Sequence, residues 1–177
     1  MASAAIEQQA VLQVRNPRTG QIDRTLPVAS RAQVAQKAAR LRAAQPAWEA
    51  LGVGGRCAVM ARWLGAVKAR AQDIGEADAV DTGGCHTSYL QGFITCGNIG
   101  GWLEDAPKAF ASLEWHGMSS SMPTVEVESQ VVAYPIVGVI SPWNAPLMLA
   151  LLDTVPALFA GSAVLLKPSE VTPRVIE

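Results

Sequence analysis

Apolar and polar positions alternate by different rules along this chain, and the changes of rhythm mark its elements. Val11 to Val28 (VLQVRNPRTGQIDRTLPV) holds two short apolar runs around Asn16-Pro17-Arg18-Thr19-Gly20, whose turn-forming residues predict a β-hairpin. Ser30 followed by Gln33 is a capping-box signature, and Val34, Ala38 and Leu41 then recur at helical spacing. A helix is expected to about Ala44, with Pro46 interrupting it. Past a Gly-rich break at Gly52 to Gly55, the positions Cys57, Met60, Trp63, Leu64 and Val67 form a second apolar helical face, and Cys57 is read as part of that core. Thr87 to Leu113 is helical but weakened by Gly92, Gly97, Gly100 and Gly101, each costing up to about 1 kcal/mol relative to Ala unless it serves a close helix contact.

Between Trp115 and Thr124 the composition turns to Ser, Gly and Pro, which predicts a connection between layers. Val125, Val127, Ser129, Val131 and Ala133 alternate with Glu126, Glu128, Gln130 and Val132, the period of a strand with one polar face. Ile136 to Ile140 is an unbroken apolar run suited to the interior of a parallel sheet. It ends at Ser141-Pro142-Trp143-Asn144-Ala145-Pro146, a loop stiffened by two prolines, the second of which suits the first turn of a helix. That helix is expected from about Pro146 to Ala160 with Gly161 as its cap, followed by a second buried strand at Ala163 to Leu166. Thr172-Pro173 reads as the cap and first turn of a further helix. The order is strand, loop, helix, strand, loop, helix.

Composition narrows the function classes. Half of the residues are hydrophobic, 16% are charged and the formal net charge is -1, so nothing favours a nucleic-acid partner. Met1 to Ala10 has neither a positive n-region nor an apolar h-region, which gives a cytoplasmic location as the expectation. Ala145 to Leu166 approaches the length of a membrane span, but Asp153, Pro156 and Gly161 break it, and a buried helix followed by an interior strand has the same pattern. Three cysteines without CxxC spacing argue against a zinc site or a disulfide framework. Across a helix Cys85 and Cys96 would lie about 16 Å apart, beyond the roughly 7 Å that a disulfide spans. Cys85 and His86 suggest a nucleophile and base, yet neighbours in a helix point in different directions and no third group is evident.

Both loops of the βαβ unit lie at the carboxyl ends of its strands, the edge where open α/β sheets bind nucleotides. Asn144, Lys167, Ser169 and Glu170 are the candidates there. Three of the four have a plainer reading: Asn144 as a helix cap, Lys167 as a solvated cation, Glu170 as an anion at the positive end of the next helix.

At these residues the sequence resembles the aldehyde dehydrogenase superfamily. The resemblance runs without a gap from Tyr134-Pro135-Ile136-Val137-Gly138-Val139-Ile140-Ser141-Pro142-Trp143-Asn144-Ala145-Pro146-Leu147 through Pro156-Ala157-Leu158 and Ala160-Gly161 to Leu166-Lys167-Pro168-Ser169-Glu170-Val171-Thr172-Pro173. Asn16-Pro17-Arg18-Thr19-Gly20, Val28-Ala29-Ser30, Pro46-Ala47-Trp48 and Asp81-Thr82-Gly83 fall in the family's order before it. The resemblance implies an α/β protein, the N-terminal part of an aldehyde dehydrogenase-like fold with the start of a Rossmann-type parallel cofactor-binding sheet. On that reading residues 11–122 are an N-terminal hairpin and helices, 123–135 a bridging or oligomerisation strand, and 136–177 the beginning of the cofactor-binding βαβ unit, with the catalytic domain absent.

The implied function is oxidation of a small-molecule aldehyde to a carboxylic acid with NAD(P)+, through a cysteine thioester. Asn144 would donate its side-chain amide to the developing oxyanion, a role suited to a neutral donor that needs no proton transfer. Ile140, Ser141, Pro142 and Trp143 would line the nicotinamide side, partly through backbone groups; Lys167 and Glu170 would reach the adenosine ribose, with Ser169 in the same cofactor-binding loop. Ala145 and Met148 would line the substrate tunnel, with Ala145 widening it where an aromatic residue is common, and Asp153 stands where many members have lysine. The nucleophile, general base and Gly-containing cofactor loop of the family lie further along than Glu177, so this chain by itself is expected to be inactive. Ile136 to Ile140 and Ala163 to Leu166, read as interior strands without their downstream neighbours, make it also expected to be poorly soluble as a monomer. The expected full-length protein is a homo-oligomer preferring NAD over NADP, with no metal, nucleic-acid or membrane partner. The other class of function is a truncated or divergent paralogue serving as a nucleotide-binding or oligomerisation module.

Overall fold

A computed structural model describes residues 10–177, so the reading of the segment before Ala10 lies outside the described residues. The described residues open with an antiparallel hairpin, β1 (Val11–Arg15) and β2 (Ile22–Pro27), in the order the turn residues predict. Asn16 closes the turn, its side-chain oxygen accepting the Arg18 backbone N–H at 2.9 Å and its carbonyl accepting the Gly20 N–H at 2.8 Å. Ser30 then caps α1 (Arg31–Glu49) through the predicted reciprocal box with Gln33. The helix does not stop before Pro46 but runs through it. Tertiary bonds hold this last turn: Gln45 Nε2 donates to the Gly161 carbonyl at 3.0 Å, and Trp48 Nε1 to the Leu158 carbonyl at 2.9 Å.

Three helices follow: α2 (Gly52–Ala69), α3 (Ala71–Thr82) and α4 (His86–Leu113). The glycines at 52, 54 and 55 start α2 rather than preceding it. Met60, Leu64 and Val67 of its apolar face are buried, and Cys57 and Trp63 pack against the same core as half-buried residues. Ala71 to Thr82 lacks a periodic run of large apolar residues, and α3 was not evident from hydropathy; it packs through the small residues Ala71, Gly75 and Ala79. The core is completed by Ile99 and Ala106 of α4 and by Leu147, Leu151, Val155 and Phe159, which recur every fourth residue along α5 (Pro146–Ala160). All three cysteines are free.

The connection after α4 contains a strand that composition concealed. Trp115–Met118 forms β3, which pairs antiparallel with β4 (Glu126–Ser129), so a partner for the alternating strand lies within this chain. Only Ser119 to Val125 forms the turn, with the Ser119 hydroxyl accepting backbone N–H groups from Ser121 and Met122. The strand expected as far as Ala133 ends at Ser129, beyond the reach of β3, and β4 is exposed on both faces. Next come β5 (Ile136–Ile140), α5 with Pro146 in its first turn and left-handed Gly161 as its cap, and β6 (Ala163–Lys167), parallel to β5. The final helix is a three-residue 3-10 turn, Arg174–Ile176, capped by Pro173 rather than Thr172. No described helix is long and apolar enough to cross a membrane; α5, the core of the suspect stretch, is about 22 Å long against the roughly 30 Å of a hydrocarbon layer.

Asp78 is the least comfortable residue of α3. It is 2% exposed, and its Oδ1 has no partner among the described residues. Burial pushes its carboxyl above the usual range, with Ser88 and Thr82 hydrogen bonds pulling it back and the Asp81 charge adding to the rise. Because the folded state holds this proton more tightly than the unfolded chain, ionisation costs stability above the raised pKa and the cost disappears as pH falls through it. Asp78→Asn is therefore expected to raise the thermal midpoint at pH 8, with the advantage shrinking on acidification. Equal gains at pH 8 and pH 5 would show that the charge is not the cause.

Candidate functional site

The parallel pairing of β5 and β6 sets Ile140 beside Lys167, so the loops that follow the two strands leave the sheet at one edge. The Ser141 backbone N–H donates to the Lys167 carbonyl at 3.0 Å and extends the ladder by one bond into the first loop. The Ser141 side chain is buried and donates to the Pro146 carbonyl at 2.7 Å. It braces the loop from within, leaving the backbone as what Ser141 can offer a ligand. Between these fixed points Pro142, Trp143 and Asn144 are exposed.

Asn144 is not the cap of α5. The cap position is Ala145, and it makes no side-chain hydrogen bond to the helix. The plainer explanation for an asparagine at this place is thereby removed. Ala145 and Met148 lie on the first turn side of the same loop, each half-buried, and exposed Asp153 sits two turns further along α5. Ile140, 77% exposed, and Trp143, 61% exposed, present apolar surface at a strand end where burial would be expected, which suits a flat apolar ligand.

The second loop carries the charge. Lys167 Nζ lies 3.1 Å from Glu170 Oε2 and also donates to the Pro168 carbonyl at 3.0 Å. The Glu170 carboxyl is held below the usual range by its own backbone N–H and by the Lys167 ammonium, so it is ionised at neutral pH. Both side chains are more than half exposed, which leaves the pair free to exchange partners at little cost. Lys167 is a solvated cation, as the plainer reading has it, and is paired as well; Glu170 faces Lys167 rather than a helix end. Ser169 is buried, with its hydroxyl accepting the Val171 backbone N–H at 3.1 Å, so it shapes the loop. An apolar groove of about 520 Å³ opens beside these residues, between Leu26, Val28 and Val34 on one side and Leu165, Leu166 and Pro168 on the other.

Two features of the edge were not visible in the sequence. Thr172, 1% exposed, donates its hydroxyl to the Trp143 carbonyl at 3.2 Å and ties the two loops together. Arg174 reaches back to Asp81 at the end of α3, a contact across ninety-three residues that no local pattern announces. Cys57 and Cys96 are half-buried beside the core, Cys85 is exposed at the cap of α4, and none lies on the elements that form this edge.

The aldehyde dehydrogenase family profile matches residues 5–177. A protein of Mycolicibacterium smegmatis provisionally named succinate-semialdehyde dehydrogenase [NADP(+)] is 34% identical over 158 residues, covering 88% of this chain and 30% of its own length. The 2-hydroxymuconic semialdehyde dehydrogenase of a Pseudomonas strain is 32% identical over 166 residues, covering 89% and 33%. Among solved structures, a protein of Anabaena variabilis provisionally named aldehyde dehydrogenase PutA superposes with a TM-score of 0.89 at 38% identity, over 94% of this chain and 35% of that one. The chain thus spans about a third of the length of the relatives it matches. With the ordered motifs, the βαβ edge and this similarity in agreement, the chain belongs to the aldehyde dehydrogenase family.

Proposed function

We propose that this chain supplies the oxyanion donor and one wall of the dinucleotide site of an aldehyde dehydrogenase that oxidises a small aldehyde to its acid through a cysteine thioester. The observation that carries the reading is the shared edge: Ile140 pairs with Lys167, so the Asn144 loop and the Glu170 loop open side by side. A dinucleotide needs a carboxylate or cation for its ribose hydroxyls and a flat apolar contact for its rings. Glu170 with Lys167, and Ile140 with Trp143, have that chemistry and are exposed to offer it. When bound, NAD(P)+ would accept the hydride. The residues of this chain bind and orient: Asn144 donates its amide where negative charge develops on the aldehyde oxygen, while the backbone of residues 140–143 borders the nicotinamide. Ala145 and Met148 would line the aldehyde's path, and the small Ala145 side chain leaves room for a bulky substrate. On this reading the nucleophile and base would come from sequence other than this segment, and the segment alone is expected to turn over no aldehyde.

The cofactor preference follows from charge. The added 2′-phosphate of NADP would stand close to the ionised Glu170, and like charges at short range repel. Lys167 beside it can turn to the phosphate at little cost and offsets part of this repulsion, because its charge is screened at the exposed surface. Both cofactors occur among the names of similar proteins: NADP(+) in that of the M. smegmatis relative, and NAD in that of a Corynebacterium glutamicum benzaldehyde dehydrogenase. Steady-state assays of the intact protein with a panel of aldehydes are expected to give a higher kcat/KM with NAD, and Glu170→Gln to narrow the ratio. An equal or higher kcat/KM with NADP would show that Lys167 prevails. Dinucleotide binding without turnover of any aldehyde would favour the other class of function, a nucleotide-binding or oligomerisation module.

A further inference from the structure

Arg174 follows the candidate loop rather than belonging to it, yet its side chain is 8% exposed and closed between two carboxylates. Its Nη1 lies 2.5 Å from Asp81 Oδ1, and its Nη2 meets Asp23 of β2. Asp81 has no exposed side-chain surface, and its second oxygen accepts the Arg174 backbone N–H at 2.5 Å. Both oxygens of a buried carboxylate are thus committed to a single residue, one to its guanidinium and one to its main chain. On the hairpin side, Asn16 donates to the other oxygen of Asp23 at 3.1 Å.

An ion pair of this kind is a poor way to gain stability, since apolar residues of the same volume usually do as well once desolvation is counted. What it supplies is direction. The main-chain bond to Asp81 fixes the backbone at Arg174, two residues after Thr172 is tied to Trp143 and four after Glu170. Residues 168–173 are therefore held at one end by β6 and at the other by Asp81, with the Ser169 to Val171 bond setting the turn between them.

We propose that Asp81 is a positioning residue for dinucleotide binding, acting through Arg174 to hold the 168–173 loop where Glu170 meets the ribose. This rests on the cofactor-site reading above. It assigns to α3 a part in ligand affinity although no atom of that helix belongs to the proposed site.

The test is NADH binding by the intact protein, followed by the cofactor's fluorescence, for wild type, Asp81→Asn, Asp23→Asn, Glu170→Gln and the Asp81→Asn/Glu170→Gln double variant, with folding checked by circular dichroism. Asp81→Asn is expected to weaken binding about 10-fold and Asp23→Asn about 3-fold, while in the Glu170→Gln background Asp81→Asn adds less than about 3-fold, because residues acting through one another are not additive. A purely structural role would lower the thermal midpoint without that loss of additivity. Unchanged affinity in folded Asp81→Asn overturns the proposal, as does full additivity with Glu170→Gln. If Asp81→Asn does not fold, unchanged affinity in Asp23→Asn overturns it instead. Wild-type protein that fails to bind NADH defeats the cofactor reading itself, and this inference with it.

Discussion

Replacing Asn144 with Ala in the intact protein is expected to slow acylation about 10²- to 10³-fold while leaving dinucleotide affinity within about threefold, because the lost bond forms only as the oxyanion develops. The geometry makes this the larger of two possible outcomes. Were Asn144 a helix cap, its removal would cost about 1 kcal/mol of stability and little rate. The cap of α5 is instead Ala145 without a side-chain bond, and Asn144 is exposed in the loop between the buried Ser141 and the buried Pro146. Single-turnover measurements separate acylation from the later hydrolysis, and thermal midpoints recorded alongside separate both from stability. Normal acylation with a lowered midpoint would return Asn144 to a structural role.

The parts of the fold that hydropathy and turn chemistry made legible are those whose causes are local. The pair of prolines at 142 and 146, the left-handed Gly161 and two short apolar runs specify the βαβ unit within a few dozen residues, and α5 begins and ends where they place it. The capping box at Ser30 is equally local, its two bonds spanning three residues. By contrast α1 passes Pro46 because Leu158 and Gly161, more than a hundred residues away, accept bonds from its last turn. α3 leaves no hydropathy signal because Ala71, Gly75 and Ala79 pack by being small. β3 is four residues long, includes a glycine, and needs β4 to exist.

The candidate site divides along the same line. Lys167, Glu170 and Asn144 stand out as candidates by residue type and place in the loops, whereas the Lys167–Glu170 pairing and the exposure of Asn144 between the prolines come from the structure. That Ser141 and Ser169 turn inward follows from their partners, the Pro146 carbonyl and the Val171 N–H, and residue type alone did not separate these serines from ligand-facing ones. Asp81 stood in the sequence as one acidic residue of a family-like tripeptide. Its significance comes from Arg174, and that contact exists only once α3 and the last turn of the chain have packed.

The glycines of α4 should separate sharply when each is replaced with Ala, although in sequence they read as one weakness. An added methyl at Gly92 would stand 2.3 Å from the Ala71 carbonyl oxygen and 2.8 Å from the Ala71 Cα, both backbone atoms of α3. Main chain cannot rotate aside as a side chain does, so α3 and α4 must move apart along a closely packed seam. Gly92→Ala is expected to cost about 3 kcal/mol, the upper end of ordinary overpacking. Around Gly97, Gly100 and Gly101 a methyl meets nothing within 4 Å, and all three have ordinary helical backbone. There the helix gains what glycine withholds, about 0.5–1 kcal/mol for each Ala. Denaturant midpoints of the four single variants in the intact protein should therefore fall on both sides of wild type, with Gly92→Ala below and the other three above. Destabilisation by Gly97→Ala or Gly101→Ala as large as that of Gly92→Ala would mean that those positions are covered in the intact protein, and that α4 presents them to a second packed surface.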